Sequence, residues 1–327
     1  MNLSVILPLF NEESSIEELY ERLKKVVSAH DYTYELLFID DGSTDSSWCK
    51  IQTLSLQDQQ VRAIRLRKNI GKSYALQLAF QEARGQVVIT MDTDLQDFPE
   101  EIPELYEKIT REDYDLICGW KKIRKDPWLI KILPSLFFNW VARKTSGLPL
   151  HDFNCGIKAY KSNVIKHIDV YGEQHRYLPI LVKQAGFLRI TEKIVQHQPR
   201  KYGQSKFGND RFLKGFLDLL TLWFISHFGK RPMHFFGIAG SFVFLLGFFS
   251  SFYIGTHNLY KLSLRKQVTS VTENPWFYIS LACMIIGTQL FLAGFLGEML
   301  IQTKYRRVNI CKIIETHIGS RSNVLEN

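Results

Sequence analysis

Cysteine is sparse in this chain, and its spacing excludes the common cysteine motifs. The 327 residues include five cysteines, and no two of them form a CxxC pair. The sequence therefore predicts neither a disulfide framework nor a structural zinc site, and this usage is typical of a reducing compartment. The five positions are Cys49, Cys118, Cys155, Cys283 and Cys311.

The N-terminal segment lacks the features of a cleaved export signal. It has no basic start, and Pro8, Asn11 and Glu12 interrupt it before an apolar run of signal length is complete. Because an export signal needs both features, we expect no cleaved leader.

Charge is missing from two long stretches near the C-terminus. No Lys, Arg, Asp or Glu occurs in residues 232–260 or in residues 274–297. Each run is long enough to cross about 30 Å of hydrocarbon as a helix. Because a polar, basic stretch separates them, the two runs predict a transmembrane hairpin within 232–303, with spans at about 233–256 and 275–300. A pair of buried core helices is the alternative.

Basic residues flank this predicted hairpin. Lys230 and Arg231 precede the first run, and the tail 304–327 is basic. Such flanks favour a multi-pass protein of the cytoplasmic membrane with both termini in the cytoplasm. We expect an amphipathic interfacial helix at 207–231, just before the hairpin.

Short apolar runs alternate with helical patterns over residues 1–206. The runs are rich in Val, Ile and Leu, as buried strands are, and the segments between them carry apolar residues at helical spacing. This alternation predicts an α/β, Rossmann-like domain with a mostly parallel sheet, whose ligands bind beyond the carboxyl ends of the strands. The predicted strands are 3–10, 34–40, 61–66 and 86–92, and the predicted helices are 13–29, 46–55, 72–83 and 99–110.

Two carboxylates follow the fourth predicted strand. Asp92 and Asp94 are separated by one residue, so on an extended chain both project to the same side. Carboxylate oxygens suit Mg²⁺ or Mn²⁺, which proteins often hold with one or two carboxylates and the phosphates of a substrate. An acidic turn without metal is the alternative.

Two further polar segments follow predicted strands. Asp40 and Asp41 come at the end of the second strand, where they can accept hydrogen bonds from a ribose or a base. Lys72 opens a predicted helix after the third strand, where it and nearby backbone N–H groups can meet a diphosphate. A simple turn and a capped helix start are the alternatives.

Taken together, these motifs resemble the family 2 glycosyltransferases of GT-A fold. More narrowly, they resemble the group of polyprenyl-phosphate glycosyltransferases and dolichyl-phosphate mannose synthases. The likeness continues through residues 152–156, residues 200–206 and the two apolar runs, and so covers nearly the whole chain. The ordered motifs are Pro8-Leu9-Phe10-Asn11-Glu12, Asp40-Asp41-Gly42-Ser43-Thr44-Asp45, Asn69-Ile70-Gly71-Lys72 and Asp92-Thr93-Asp94-Leu95-Gln96-Asp97.

The resemblance implies inverting, metal-dependent transfer of a sugar from a UDP- or GDP-sugar to a polyprenyl phosphate, undecaprenyl or dolichyl. It implies Mg²⁺ or Mn²⁺ at Asp92, Asp94 and Gln96, and Asp152 as the catalytic carboxylate acting with Asp94. Because a phosphate acceptor is already largely ionised near neutral pH, Asp152 can either orient it or take its last proton. The expected nucleotide-sugar residues are Pro8, Phe10, Asn11, Glu12, Ile39, Asp40, Asp41, Lys72, Asp92, Thr93 and Gln96.

The acceptor phosphate needs cationic and hydroxyl donors. Arg200, Ser205 and Lys206 stand just before the predicted interfacial helix, and Arg124 is expected to join them. Relatives of this group carry Arg where this chain has Lys121, and Lys lacks the bidentate grip of Arg, which leaves the role of Lys121 open.

The chain carries 41 Lys and Arg against 33 Asp and Glu, a formal charge of +8 that favours anionic partners. Its basic residues are spread out without a stacking motif, so nucleic-acid binding is not expected. The partners expected are a nucleotide-sugar donor, a polyprenyl phosphate and the bilayer, with a homo-oligomer left open. The alternatives are an inactive membrane component that binds nucleotide sugar or lipid, and a polysaccharide-type transferase, although no QxxRW segment occurs.

Overall fold

The computed structural model describes residues 1–122, 133–202, 232–264, 273–304 and 314–318. They belong to two compact units, Met1–Trp223 with Asn309–Asn327, and Phe224–Val308.

A single mixed sheet organises the first unit. Its strands are β1 (Leu3–Leu9), β2 (Tyr34–Asp40), β3 (Val61–Leu66), β4 (Val87–Thr90), β5 (Leu116–Trp120), β6 (Lys158–Lys161), β7 (Ile190–Ile194) and β8 (Ile314–Ile318). They lie in the order β7-β5-β6-β4-β1-β2-β3-β8.

Most neighbouring strands of this sheet are parallel. β1 pairs in parallel with β2 and β4, β2 with β3, and β5 with β7. The mostly parallel sheet predicted from the sequence is therefore confirmed. Two strands run the other way: β6 lies antiparallel between β4 and β5, and β8 is antiparallel to β3.

Helices cover the sheet because their apolar residues recur at helical spacing. On α1, Ile16, Leu19 and Leu23 are fully buried against the sheet, whose β1 is buried along its whole length. A 3₁₀ turn, Pro99–Glu101, leads into α4. The helices of the first unit are α1 (Ile16–Ser28), α2 (Ser47–Gln57), α3 (Lys72–Glu82), α4 (Ile102–Arg111), α5 (Leu133–Ser146), α6 (Ser162–Lys166) and α7 (Leu178–Gln184).

Two long helices make up the described part of the second unit, α8 (Pro232–Ser263) and α9 (Pro275–Lys304). Both are long and apolar enough to cross a membrane. Gly240 and Gly287 let the two backbones touch, since a Cβ on either would come within 2.6 Å of the other's carbonyl oxygen. The Ser280 hydroxyl donates to Ser250 Oγ at 2.9 Å across the same interface. The predicted interfacial helix at 207–231 lies outside the described residues.

Candidate active site

The polar motifs of the sequence meet at one edge of the sheet. β1, β2 and β4 are parallel, so the segments that follow them leave the sheet at the same side. β6 runs antiparallel to β4 and pairs Lys158 with Thr90, so the segment before β6 arrives at this edge as well. The segments that follow β1, β2 and β4 and the segment that precedes β6 therefore surround the end of β4.

Asp92 lies against a cation and a glycine. The ammonium of Lys72, at the start of α3, forms an ion pair with Asp92 Oδ1. Burial alone would raise the pKa of Asp92, but the charge and hydrogen bond of Lys72 hold that pKa lowered to about 2. Gly156 leaves room for the carboxylate, because a Cβ there would lie 2.6 Å from Asp92 Oδ2.

Asp94 is joined to the basic segment near residue 200. Arg200 donates to Asp94 Oδ2 at 3.0 Å and to Glu12 Oε1 at 3.3 Å, and the backbone N–H of Gln96 donates to Asp94 Oδ1 at 3.2 Å. Burial, followed by the neighbouring negative charge of Asp92, raises the pKa of Asp94. Asp94 and Arg200 therefore neutralise each other across the site.

Lys121, which follows β5, has a partner in the acidic loop after β4. Its ammonium lies 2.6 Å from Oδ1 of Asp97, whose side chain is fully buried. Burial would lower the pKa of Lys121, but the charge of Asp97 outweighs it and raises the pKa of Lys121 above its ordinary value. Lys121 thus ties the end of β5 to the acidic loop after β4.

Asp40 and Asp41 have partners within the protein. Asp40 is fully buried, accepts from the Ser43 N–H at 2.9 Å and lies 3.5 Å from Arg65. Asp41 accepts at 2.8 Å from the N–H groups of Ile70 and Gly71, one on each oxygen. Burial raises the pKa of both carboxyls.

These contacts change the expected role of the α3 start. The sequence predicted that backbone N–H groups at the start of α3 contact a diphosphate. In the structure, the N–H groups of Ile70 and Gly71 donate hydrogen bonds to Asp41 instead. Asp41 accordingly holds the loop that presents Lys72.

The loop after β1 is held by the segment after β2. Asn11 has a positive φ of 51°, which Asn tolerates better than most residues, and its backbone N–H donates to Ser43 Oγ at 2.8 Å. Its side-chain oxygen accepts from the Thr44 N–H at 2.8 Å. This bracing directs Glu12 toward Arg200.

The remaining expected nucleotide-sugar residues differ in exposure. Phe10 and Gln96 are partly buried at the loop surface, whereas Pro8 is buried in β1. Thr93 is 4% exposed and donates to the Pro8 carbonyl at 3.4 Å. Ile39 is fully buried in β2, where it supports the site from within the core.

Asp152 lies in the segment that leads to β6 and is 1% exposed. The backbone N–H of Asn154 donates to its Oδ1 at 3.2 Å. Asn139 of α5 accepts from the Phe153 N–H at 3.2 Å and so steadies this segment. Of the expected acceptor residues, Arg200 reaches the site, whereas Arg124, Ser205 and Lys206 lie outside the described residues.

Two residues that the motifs did not single out line a cleft beside Asp92. Lys158 and His175 share this cleft with Lys72, Asp92 and Asn154. The sequence could have indicated Lys158, because it is the one charged residue in the apolar run 157–160. Lysine is almost never fully buried unless it is paired. Nothing in the sequence around His175 marks it.

The glycosyl transferase family 2 model matches residues 4–168, the stretch that contains these loops. The chain belongs to glycosyl transferase family 2. Its predicted activity as a glycosyltransferase is thereby confirmed.

Curated relatives match this family 2 transferase over nearly its full length. It is 33% identical to the dodecaprenyl-phosphate galacturonate synthase of Rhizobium johnstonii, over 94% of this chain and 89% of that protein. It is 32% identical to the undecaprenyl-phosphate 4-deoxy-4-formamido-L-arabinose transferase of Proteus mirabilis, over 90% of this chain and 87% of that protein.

Solved structures share the fold of this family 2 transferase. The glucosyl-3-phosphoglycerate synthase of Mycobacterium tuberculosis with Mn²⁺ and UDP-glucose is 18% identical and has a TM-score of 0.52, covering 69% of this chain and 78% of that one. A second crystal structure of that synthase gives the same TM-score at 19% identity, covering 69% and 80%. The predicted GT-A fold is therefore confirmed.

The acidic residues of this family 2 transferase fit a divalent cation only together with a substrate. No cluster of three or more His, Cys, Asp or Glu side chains placed to hold a metal occurs in the described parts of the chain. Asp92 and Asp94 supply two hard carboxylate ligands, and Mg²⁺ or Mn²⁺ commonly takes its remaining ligands from phosphates and water. The residues present therefore fit a metal that arrives with a nucleotide diphosphate.

Proposed function

We propose that this enzyme transfers a sugar from a nucleotide diphosphate sugar to a polyprenyl phosphate. One observation carries the proposal: Arg200, from the segment expected to bind the acceptor phosphate, contacts Asp94 of the donor motif at 3.0 Å. This contact supports a single site in which the residues expected to bind the donor and the acceptor lie side by side. The names of the curated relatives, both transferases or synthases of polyprenyl-phosphate sugars, support the same acceptor.

The proposed reaction is a single in-line displacement. An oxygen of the acceptor phosphate forms a bond to the anomeric carbon of the sugar while the bond from that carbon to the diphosphate breaks. The nucleoside diphosphate leaves with the bonding electrons, so the anomeric configuration inverts. A divalent cation held by Asp92, Asp94 and Gln96 would neutralise charge on the leaving diphosphate.

Residues of the chain share the remaining tasks. Lys72 adds positive charge beside the donor diphosphate, and Arg200 attracts the acceptor phosphate. Asp152 orients that phosphate or takes its remaining proton, since its segment ends beside the cleft that Asn154 lines. Arg124, Ser205 and Lys206 would complete the acceptor site.

We further propose that the chain is a multi-pass protein of the cytoplasmic membrane. The proposed parts are a cytoplasmic transferase domain, 1–206, an interfacial helix, 207–231, a two-span hairpin, 232–303, and a basic tail, 304–327. The two long apolar helices support this arrangement. A reporter fused after Asn327 is expected to be cytoplasmic, and a reporter signal from the opposite side would reject the arrangement.

The donor sugar is the open part of the proposal, because the two relatives are named for different sugars. The full-length protein in detergent is to be assayed with undecaprenyl phosphate, Mg²⁺ or Mn²⁺, and a panel of UDP- and GDP-sugars. We expect transfer from at least one donor, none to undecaprenol, which lacks the phosphate, and none by Asp152→Asn. Nucleotide binding without transfer from any donor would instead favour the inactive binding component.

A further inference from the structure

The chain on either side of Asp152 is held by a different element of the fold. The backbone N–H of Phe153 donates to Oδ1 of Asn139, a buried residue of α5, at 3.2 Å. His151, on the other side of Asp152, contacts Glu192 of β7 through its backbone and through its ring. Because both neighbours are fixed, these contacts determine where the buried carboxylate of Asp152 lies.

Glu192 uses both of its carboxylate oxygens on His151. Oε2 accepts from the backbone N–H of His151 at 2.6 Å, and Oε1 lies against Nδ1 of the imidazole. A carboxylate only accepts hydrogen bonds, so opposite the carboxylate of Glu192 the ring nitrogen Nδ1 carries a proton and donates. The backbone position and the ring orientation of His151 are therefore set by one side chain.

The indole ring of Trp120 supports the imidazole of His151. The two rings stack with their centroids 4.1 Å apart and their planes 14° from parallel. Trp120 ends β5 and lies beside Ile194, which follows Glu192 by two residues in the parallel strand β7. His151 is thus held by residues of two neighbouring strands, and strands hold a functional group more precisely than loops do.

The placement of Glu192 is not explained by stability alone. Glutamate is uncommon in strands and rarely buried without a partner, yet the side chain of Glu192 is only 14% exposed and pairs in register with the buried Cys118 of β5. Its partner, the side chain of His151, is 47% exposed, so water weakens the electrostatic gain from the contact. What Glu192 provides is a fixed geometry for the residue next to Asp152.

We propose that Glu192 is a positioning residue for sugar transfer: its two hydrogen bonds to His151 hold the Asp152 carboxylate where it meets the acceptor phosphate. The inference rests on the proposed function, in which Asp152 orients that phosphate or takes its remaining proton. Glu192 lies outside the motifs that resemble those of other family 2 transferases, and it acts through His151 without contacting a reacting atom. A displacement of about 1 Å in a reacting group can slow a reaction about 100-fold, so a residue that prevents such a displacement matters for the rate.

The test compares two substitutions at Glu192 in the full-length protein in detergent. Glu192→Met removes both acceptors from a side chain of similar length. Glu192→Gln keeps a pair of hydrogen bonds, because its carbonyl oxygen can accept from the His151 N–H while its NH₂ group donates to an unprotonated Nδ1. Glu107→Met is the matched control, because Glu107 is 50% exposed and pairs with Arg111 within α4.

The measurements are kcat, with undecaprenyl phosphate and the donor that the wild type transfers fastest, and the Kd of that donor, titrated calorimetrically in Mg²⁺ without acceptor. We expect Glu192→Met to lower kcat roughly 10- to 100-fold and to change the Kd of the donor less than about twofold, because Asp152 acts on the acceptor. Glu192→Gln should recover most of the lost kcat. Glu107→Met should change neither quantity.

An unchanged kcat in Glu192→Met would overturn the inference. Equal loss of kcat and of donor affinity would indicate a merely structural role and would also overturn it, as would an equally low kcat in Glu192→Gln. Should Glu192→Met fail to fold, His151→Phe carries the same comparison of kcat with Kd, since it keeps a ring to stack on Trp120 but lacks Nδ1. Absence of transfer by the wild type from every donor would reject the proposed function itself, whereas these outcomes leave that transfer intact.

Discussion

The guanidinium of Arg200 lies 3.0 Å from the carboxylate of Asp94, although 106 residues separate them. The same guanidinium reaches Glu12, in the loop after β1. One cation therefore links the first motif of the chain, the acidic motif after β4 and the basic segment at residue 200. This link makes a single site out of motifs that the sequence presents separately.

Removal of Arg200 should impair transfer strongly. Arg200→Ala leaves Asp94 and Glu12 without their shared cation and removes the proposed hydrogen-bond donor to the acceptor phosphate, so we expect kcat/KM to fall about 100-fold. Arg200→Lys should restore little, since an ammonium cannot bind a phosphate through two parallel N–H bonds as a guanidinium can. Initial transfer rates test this.

Lys201→Ala is the matched control for Arg200→Ala. Lys201 is 51% exposed and pairs with Glu18, so its loss should change the rate less than about twofold. Similar rates for the two variants would contradict the role given to Arg200.

Neutralisation of Asp94 should abolish the metal dependence of nucleotide binding. Asp94→Asn removes a charged ligand of the proposed metal site, so we expect turnover to fall about 100-fold or more and the gain in nucleotide affinity from Mg²⁺ to disappear. Calorimetric titration with Mg²⁺ and with EDTA measures that gain. The same substitution at Asp113, which is 63% exposed and has a φ of 61° that Asn adopts readily, should leave it intact. Retained Mg²⁺ dependence in Asp94→Asn would remove Asp94 from the metal site.

The Lys121–Asp97 pair should matter for stability. Lys121→Met leaves the Asp97 charge buried without a partner, which typically costs about 3–5 kcal/mol in the free energy of unfolding. Adding Asp97→Asn should recover part of this loss, because the uncompensated charge is then gone. The melting temperature of the full-length protein in detergent provides the measurement. Lys122→Met is the control, because Lys122 is an exposed neighbour and its loss should have little effect on the melting temperature. Equal melting temperatures for Lys121→Met and Lys122→Met would contradict a stabilising role of the buried pair.

Asp45 should make stability depend on pH in the acid range. Burial raises the pKa of Asp45, but hydrogen bonds from Ser47 and from the Glu13 N–H outweigh it and leave the pKa lowered. A lowered carboxyl pKa contributes stability above the unfolded value of about 3.9 and loses it as pH falls through the folded value. Asp45→Asn should therefore be less stable than wild type at pH 7, and the gap should close as the pH drops below about 3.9. Melting curves across this pH range measure the difference in stability, and Asp31→Asn, at an exposed position, is the control. A difference that grows as the pH falls would contradict the prediction.

Local patterns predicted the first four strands and helices well. The strands at 34–40 and 61–66 have the predicted bounds, and α3 starts at Lys72 as predicted, because apolar periodicity depends only on neighbouring residues. α1 starts at Ile16, three residues later than predicted, since residues 11–13 bind the segment after β2 instead of extending the helix.

Partners distant in sequence could not be predicted in this way. Nothing around Asp41 indicates that its oxygens accept from Ile70 and Gly71, nor that Arg200 reaches Asp94. The reversed direction of β6 likewise follows from the packing of the whole first unit. Motif resemblance named the residues of the candidate site, whereas the hydrogen bonds among them depend on contacts between distant parts of the chain.

The antiparallel insertion of β6 has a consequence for synthesis of the protein. β4 lies between β1 and β6, so until Lys158–Lys161 has been made, β4 is an open edge of the sheet. Translation at about 5–20 residues per second leaves that edge unpaired for about 4 to 14 s after Thr90 is added. An unpaired edge is a template for another chain, so a nascent chain stalled in this interval would have both an incomplete site and a surface prone to aggregation.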